Sequence, residues 1–316
     1  MEPLADIIAL LRPRAAATKV IQGAGRWGVR YSRVAHAGFG LVLAGEAWLA
    51  VDGHEPIRFA EGDFVLMPAV PGFVLASDLD VEPSAREAAD PAARPVAHAR
   101  HGDLEGEAPF KQLGGYFQFE PANIALLGGL LPGLVHIPAK AAAAGRLAGV
   151  IALITDEALA DRPGRDLIVD RLIEVLLVEA LRFQSEATGA VARPGLLAGL
   201  GDPYLARALR RLHADVAHPW TVAKLAREAG LSRSAFSERF GRKVGVPPME
   251  YLIAWRMALA KDLLQGAGPP LETVAATVGY QSASAFSTAF RRQVGRPPSR
   301  FARGRAVVEA GAISRS

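Results

Sequence analysis

Two periodicities divide the chain. From Gly40 to Leu75, GLVLAGEAWLAVDGHEPIRFAEGDFVLMPAVPGFVL alternates apolar stretches with Gly, Asp-Gly and Pro breaks every eight to ten residues, which predicts several short antiparallel strands closing into a small barrel or sandwich. From about residue 202 onward the apolar positions recur every three or four residues instead. Leu225, Ala226 and Ala229 share one helical face and are stopped by Gly230. Ser232 is a good N-cap for a second helix, Arg233 to Val244, in which Phe236, Phe240 and Val244 share a face. Gly245 and Pro247-Pro248 end it.

The helix-turn-helix grammar returns. Val274, Ala275 and Val278 precede Gly279, and Ser282 opens a segment in which Phe286, Phe290 and Val294 repeat the spacing before Gly295 and Pro297-Pro298. The second turn, GYQS, is one residue longer than the first, GLS. PPMEYLIAWRMALAKDLLQG between them reads as one linking helix that ends at Gly266. Such a helix is roughly 25 Å long, so the two second helices can stand about one DNA turn, ~34 Å, apart. A helical bundle whose paired units only build a core is the alternative. Against it, Ser234, Glu238, Gly241 and Arg242 form an outer stripe that packing has no reason to select.

In the middle of the chain, Ala141 to Gln184 predicts two helices broken at DRPGRD. In the second, Leu167, Ile168, Arg171, Leu172, Val175, Leu176, Glu179 and Leu181 make a stripe too apolar to be covered on one side only. Core packing explains part of it and a two-fold dimer interface the rest. SEATGAVARPGLLAGLGDP is linker-like.

Charge sharpens the division. Residues 1–190 hold 17 Lys and Arg against 24 Asp and Glu, a net of −7, and residues 191–316 hold 19 against 8, a net of +11. The basic half has the electrostatic footprint of a domain that docks on phosphates. No cysteine is present, which excludes disulfides and thiolate chemistry. No apolar run reaches membrane-spanning length and the amino end lacks a secretory leader, so a cytoplasmic protein is expected.

GLSRSAFSERFGRKVGVPPMEYLIAWRM and VAATVGYQSASAFSTAFRRQVGRPPSRFAR resemble the DNA-binding domain of AraC/XylS-type transcription regulators over about a hundred residues. The resemblance implies base-edge contacts from Ser234, Ser237 and Glu238 in the first unit and from Ala283, Ser284, Ser287 and Thr288 in the second. It gives Arg233, Arg239, Arg242, Arg291 and Arg292 mostly to phosphates of double-stranded promoter DNA. These readers are small: only Glu238 has a marked base preference, for the cytosine amino group, and pairing with Arg242 is an equal alternative role for it. Specificity is therefore expected to lean on water, DNA shape and groove spacing.

GEAWLAVDG, IRFAEGDFVLMP and GYFQFEP resemble the cupin barrel, in particular the ligand-sensing cupins fused to AraC-type domains. Many cupins are metal enzymes, but Phe73 stands where related domains often have a histidine, and the HxH cluster with a following Glu is missing from the early strands. His36 is isolated and His54 sits in a turn. His98 and His101 fall in an excursion, Ala76 to Ala108, that reads as an exposed loop. No metal, catalytic residue or cofactor is expected. Trp27, Phe39, Trp48, Phe64, Phe73 and Tyr116 are the candidates to line a small-molecule effector site, or else are core.

The expectation is thus an α+β two-domain protein. An antiparallel β cupin-like sensor spans 1–140, helices for homodimerisation 141–187, a linker 188–201, an all-α domain with two helix-turn-helix units 202–305, and a tail 306–316. Its function would be sequence-specific transcription regulation, with RNA polymerase as a partner if it activates. The rivals are a cupin-type metal-dependent enzyme carrying a DNA-binding domain and an architectural protein that binds DNA without sequence choice.

Overall fold

The computed structural model describes residues 3–32, 36–67, 72–86, 98–103, 105–120, 123, 134–142, 146–160, 162–186, 194–265 and 268–302. The tail 306–316, residues 188–193 of the linker and the Gly266 helix stop lie outside them. By its contacts the chain forms two compact units, one of residues 13–119 and 131–184 and one of 1–12, 120–130 and 185–316.

The first unit is a sandwich of two sheets. Its strands are β1 (Arg14–Ala24), β2 (Gly28–Tyr31), β3 (Ala37–Ala44), β4 (Glu46–Val51), β5 (Ile57–Ala60), β6 (Phe64–Met67), β7 (Phe73–Ala76), β8 (Ser84–Arg86), β9 (His98–Gly102), β10 (Phe110–Gln118) and β11 (Val135–Ile137). One sheet runs β11-β6-β3-β10-β1-β9 and the other β5-β4-β7-β2-β8. Every neighbouring pair is antiparallel except β9 on β1 and β8 on β2. The excursion read as a loop therefore contributes an edge strand to each sheet. Its Ala, Pro and acidic composition hides this, because an edge strand needs one paired side and little core.

Side-chain alternation sorts the strand residues between two cores. Ile21, Trp27, Val29, Tyr31, Val42, Leu49, Phe59, Val65, Met67, Leu75 and Phe110 meet between the sheets. Phe39, Phe64 and Phe117 are buried on the opposite face, where Phe39 and Phe117 pack at 5.0 Å. The Gly-Asp turn before β6 is held by Asp63, whose carboxylate accepts from the amides of Ala60 and Ala139. After the strands come α2 (Ala139–Ala142), α3 (Arg146–Leu159) and α4 (Arg165–Glu186). In α4, Val169, Ile173, Leu176, Leu177, Ala180 and Leu181 are buried, while Leu167, Ile168 and Val175 are exposed, as are Leu153 and Leu159 of α3.

The second unit is helical: α1 (Pro3–Leu11), α5 (Leu196–Leu200), α6 (Pro203–Ala214), α7 (Val222–Ala229), α8 (Arg233–Val244), α9 (Pro248–Leu263), α10 (Leu271–Thr277) and α11 (Ala283–Val294). Helix α1, within the 1–140 span assigned in sequence to the sensor, makes its helix contacts with α6 and α9 and clusters with this unit. Leu4, Ile7, Leu10 and Leu11 are its buried side. The carbonyls of Leu10 and Leu11 accept from the Asn123 side chain and the Glu120 amide, which satisfies the open end of the helix. At its centre Asp6 Oδ2 lies 3.4 Å from His213 Nδ1, and His213 Nε2 lies 2.7 Å from the Tyr251 hydroxyl.

Candidate nucleic-acid interface

The two helix-turn-helix units are built alike. Ser232 Oγ accepts from the Ala235 amide at 3.3 Å and Ser282 Oγ from the Ala285 amide at 3.2 Å, so each second helix starts at the same kind of cap. Gly245 and Gly295 end them at φ 90° and 80°, a left-handed conformation that costs glycine nothing. Phe236–Phe240 and Phe286–Phe290 are both at 5.5 Å, fully buried. With the phenylalanines pinned inward, helical geometry turns the intervening residues outward.

On α8, Arg233, Ser234, Glu238 and Arg242 are exposed and Ser237 is half-buried. On α11, Ser284, Thr288, Arg291 and Arg292 are exposed, with Ala283 and Ser287 half-buried. Each set shares a face of one helix. Glu238 and Arg242 stand 3.4 Å apart with both side chains mostly in water, a pair that holds neither firmly.

Arg239 is placed differently. Its Nε donates to Asp202 Oδ2 at 2.7 Å, and its guanidinium lies 4.8 Å from the Tyr204 ring centroid. Asp202 is almost wholly buried and its other oxygen caps α6, accepting from the amides of Tyr204 and Leu205. Arg239 thus joins α8 to α6 inside the protein. The second unit has Ala289 at the equivalent position.

Sequence reasoning missed Arg256. From α9 it donates to the Val216 carbonyl at 3.1 and 2.8 Å and to the His218 carbonyl at 3.0 Å, ahead of the first unit. Its guanidinium also lies 5.9 Å from the ring of Tyr280, in the turn of the second. The linking helix therefore fastens both units through one side chain. The signal was present in the WRM segment, where a cation interrupts an apolar helix.

In the sandwich the six candidate aromatics separate. Trp27, Phe73 and Tyr116 belong to the space between the sheets, Phe39 and Phe64 pack on the far side, and the half-buried Trp48 is not among the residues of that core. Tyr31 stacks on Phe73 at 4.7 Å. His101, expected in solvent, is half-buried: it stacks on Trp27 at 6.0 Å and its Nε2 lies 3.4 Å from the Tyr31 hydroxyl. His98 is in strand β9. Burial pushes the Tyr116 phenol up, so it is a neutral donor at physiological pH. Among the described residues no three His, Asp or Glu side chains converge as a metal site.

A cupin family model matches residues 2–186 and a helix-turn-helix domain model residues 225–304. A protein of Streptomyces antibioticus named as an AraC-like transcription regulator is 38% identical over 285 residues, 89% of this chain and 92% of its own. One of Streptomyces lividans with the same name is 38% identical over 286 residues, 89% and 91% of the two chains. An AraC-type regulator structure from Chromobacterium violaceum matches 33% of this chain and 93% of its own at 25% identity and a TM-score of 0.31. With a cupin-family domain, a matched helix-turn-helix domain and like-named relatives along nearly its whole length, this chain belongs to the AraC-like transcription regulators and is a DNA-binding protein.

Proposed function

We propose that the chain reads promoter DNA by laying α8 and α11 into two successive major grooves, with Ser234, Ser237, Glu238, Ala283, Ser284, Ser287 and Thr288 facing base edges. The observation that carries this is the doubled exposed polar stripe on identically capped helices fastened by one arginine. Arg233, Arg242, Arg291 and Arg292 flank the stripes and hold phosphates; Arg239 acts inside the fold. The net +11 of residues 191–316 supports a large phosphate term, with affinity falling steeply as salt rises.

The sandwich senses a small ligand, and the exposed apolar side of α4 and α3 joins two copies. Leu153, Leu159, Leu167, Ile168 and Val175 support the second point, since a monomer gains nothing from leaving five large apolar side chains in water. The relatives are regulators rather than enzymes, which supports action by binding alone. No described helix is long and apolar enough to cross a membrane, and a cytoplasmic site follows from the DNA target. RNA polymerase is a partner if the output is activation.

Footprinting of the full chain at physiological salt with competitor DNA tests this. Protection of about two helical turns per copy supports the reading; weak, uniform protection supports a protein without sequence choice and sinks it. In the same preparation, Ile168→Glu is expected to sediment at half the mass of the parent.

A further inference from the structure

The turn of the first helix-turn-helix unit gathers cations that the fold itself does not use. Arg227 stands in the last turn of α7, where its carbonyl accepts from the Gly230 amide at 3.0 Å, and Arg233 opens α8 just beyond the Ser232 cap. Arg207 reaches the same place from α6: a Cβ on Gly230 would have one neighbour within 4 Å, Arg207 Nη1 at 3.9 Å. The three arginines and Gly230 are all exposed. Among the described residues none of the three side chains has an acid or a hydrogen-bond acceptor as its partner. Glu228, next to them in sequence, is taken by Arg211 at 3.3 Å. Like charges gathered at one turn repel, so folding alone gives no reason to collect them.

The second unit is arranged otherwise. Its residues equivalent to Arg227 and Arg233 are Ala276 and Ala283. Its turn is also closed, since a Cβ on Gly279 would meet Arg256 Nη2 at 2.5 Å and the Ala217 carbonyl oxygen at 2.8 Å. That arginine is already committed to the carbonyls of Val216 and His218. The exposed cations of the second reading helix, Arg291 and Arg292, lie in the last turn of α11, at the opposite end from its turn. An open, cationic turn is therefore a property of one copy and not of the repeat.

We propose that the turn of the first unit is a phosphate site, in which Arg207 and Arg227 join Arg233 in holding the DNA backbone where α8 enters its groove. The place of the site in the fold selects the anion. It stands at the start of the helix whose outer stripe carries the base readers, so a groove that receives α8 brings its own backbone to the turn. Guanidinium forks match phosphate oxygens, and the bare glycine lets a phosphate come close to the main chain. The first unit then anchors the protein electrostatically at the head of its reading helix, a contact the second unit lacks. The inference rests on the proposal that α8 is a groove helix.

The test is a salt titration of operator affinity with the full chain, run beside the same titration on competitor DNA. Arg207→Gln and Arg227→Gln are each expected to reduce the log-log salt slope by about one, and the double variant by about two, with equal factors lost on operator and competitor. Either single variant decides the site if the other fails to fold. Unchanged slopes overturn it, as does a loss confined to the operator, which would make these side chains base readers. Normal DNA affinity with lost transcription in a reconstituted system would assign the turn to an acidic protein surface and overturn it too. The groove reading fails by a different result: if the parent protects DNA only weakly and uniformly, α8 does not read bases, while slope losses on competitor DNA still uphold the phosphate site.

Discussion

Arg239 and Arg291 look interchangeable in sequence, two cations on two equivalent helices, and the structure gives them different work. Arg239 holds a buried carboxylate that also caps α6, whereas Arg291 is exposed at a position where the first unit has Gly241. Arg239→Ala should lower stability by about 1–3 kcal/mol, because it removes a charged hydrogen bond from an otherwise buried group. Arg291→Ala should leave the urea midpoint alone, weaken binding to all DNA sequences and reduce the log-log salt slope by about one. If the two variants exchange these signatures, the division between internal clamp and phosphate contact is wrong. What sequence could not provide here was the partner: Asp202 lies 37 residues from Arg239, and nothing in either neighbourhood announces the pair.

At the scale of elements, the helix-turn-helix units were almost fully legible, because glycine stops, serine caps and a four-residue phenylalanine spacing are local signals. The strands of the central sandwich were legible for the same reason. The edges were not: β8 and β9 carry no alternation, and their parallel pairing with β2 and β1 is a long-range fact. The turns also conceal a difference. Gly230 and Gly279 are both left-handed, at φ 70° and 78°, but a Cβ at Gly230 would have its nearest neighbour at 3.9 Å. At Gly279 it would stand 2.5 Å from Arg256 Nη2 and 2.8 Å from the Ala217 carbonyl oxygen. Gly230→Ala should therefore cost about 1 kcal/mol of backbone strain. Gly279→Ala should cost at least about 2 kcal/mol and weaken operator binding as well, since it displaces the arginine that fastens the two units. Equal losses in thermal unfolding would show that the crowding around Arg256 relaxes freely.

For the whole molecule, acidity is a sensitive variable. His213 is 1% exposed, and burial holds its imidazole down to about 3 from 6.5. The unfolded chain binds a proton there below pH 6.5 and the folded one does not. Stability present above that pH is then lost as pH falls toward 3, at up to about 1.4 kcal/mol per pH unit. Urea midpoints of the parent should drop between pH 7 and pH 5 more than those of His213→Phe, and parallel curves for the two would rule out this residue as the source. Nothing in the sequence marks this histidine out. Its seclusion depends on a segment more than two hundred positions away.

That segment is α1, and its allegiance bears on how relatives of this chain can be recombined. A chimera joined at the linker would carry a DNA-reading half whose first helix comes from the other parent, setting foreign residues at positions 4, 6, 7, 10 and 11 against α6 and α9. The compact unit here is discontinuous: residues 1–12 cluster by contacts with the carboxyl-terminal helices, although the cupin family model spans residues 2–186. Selection on the reader is therefore expected to leave its mark on the inward residues of α1 as well as on the helix-turn-helix units.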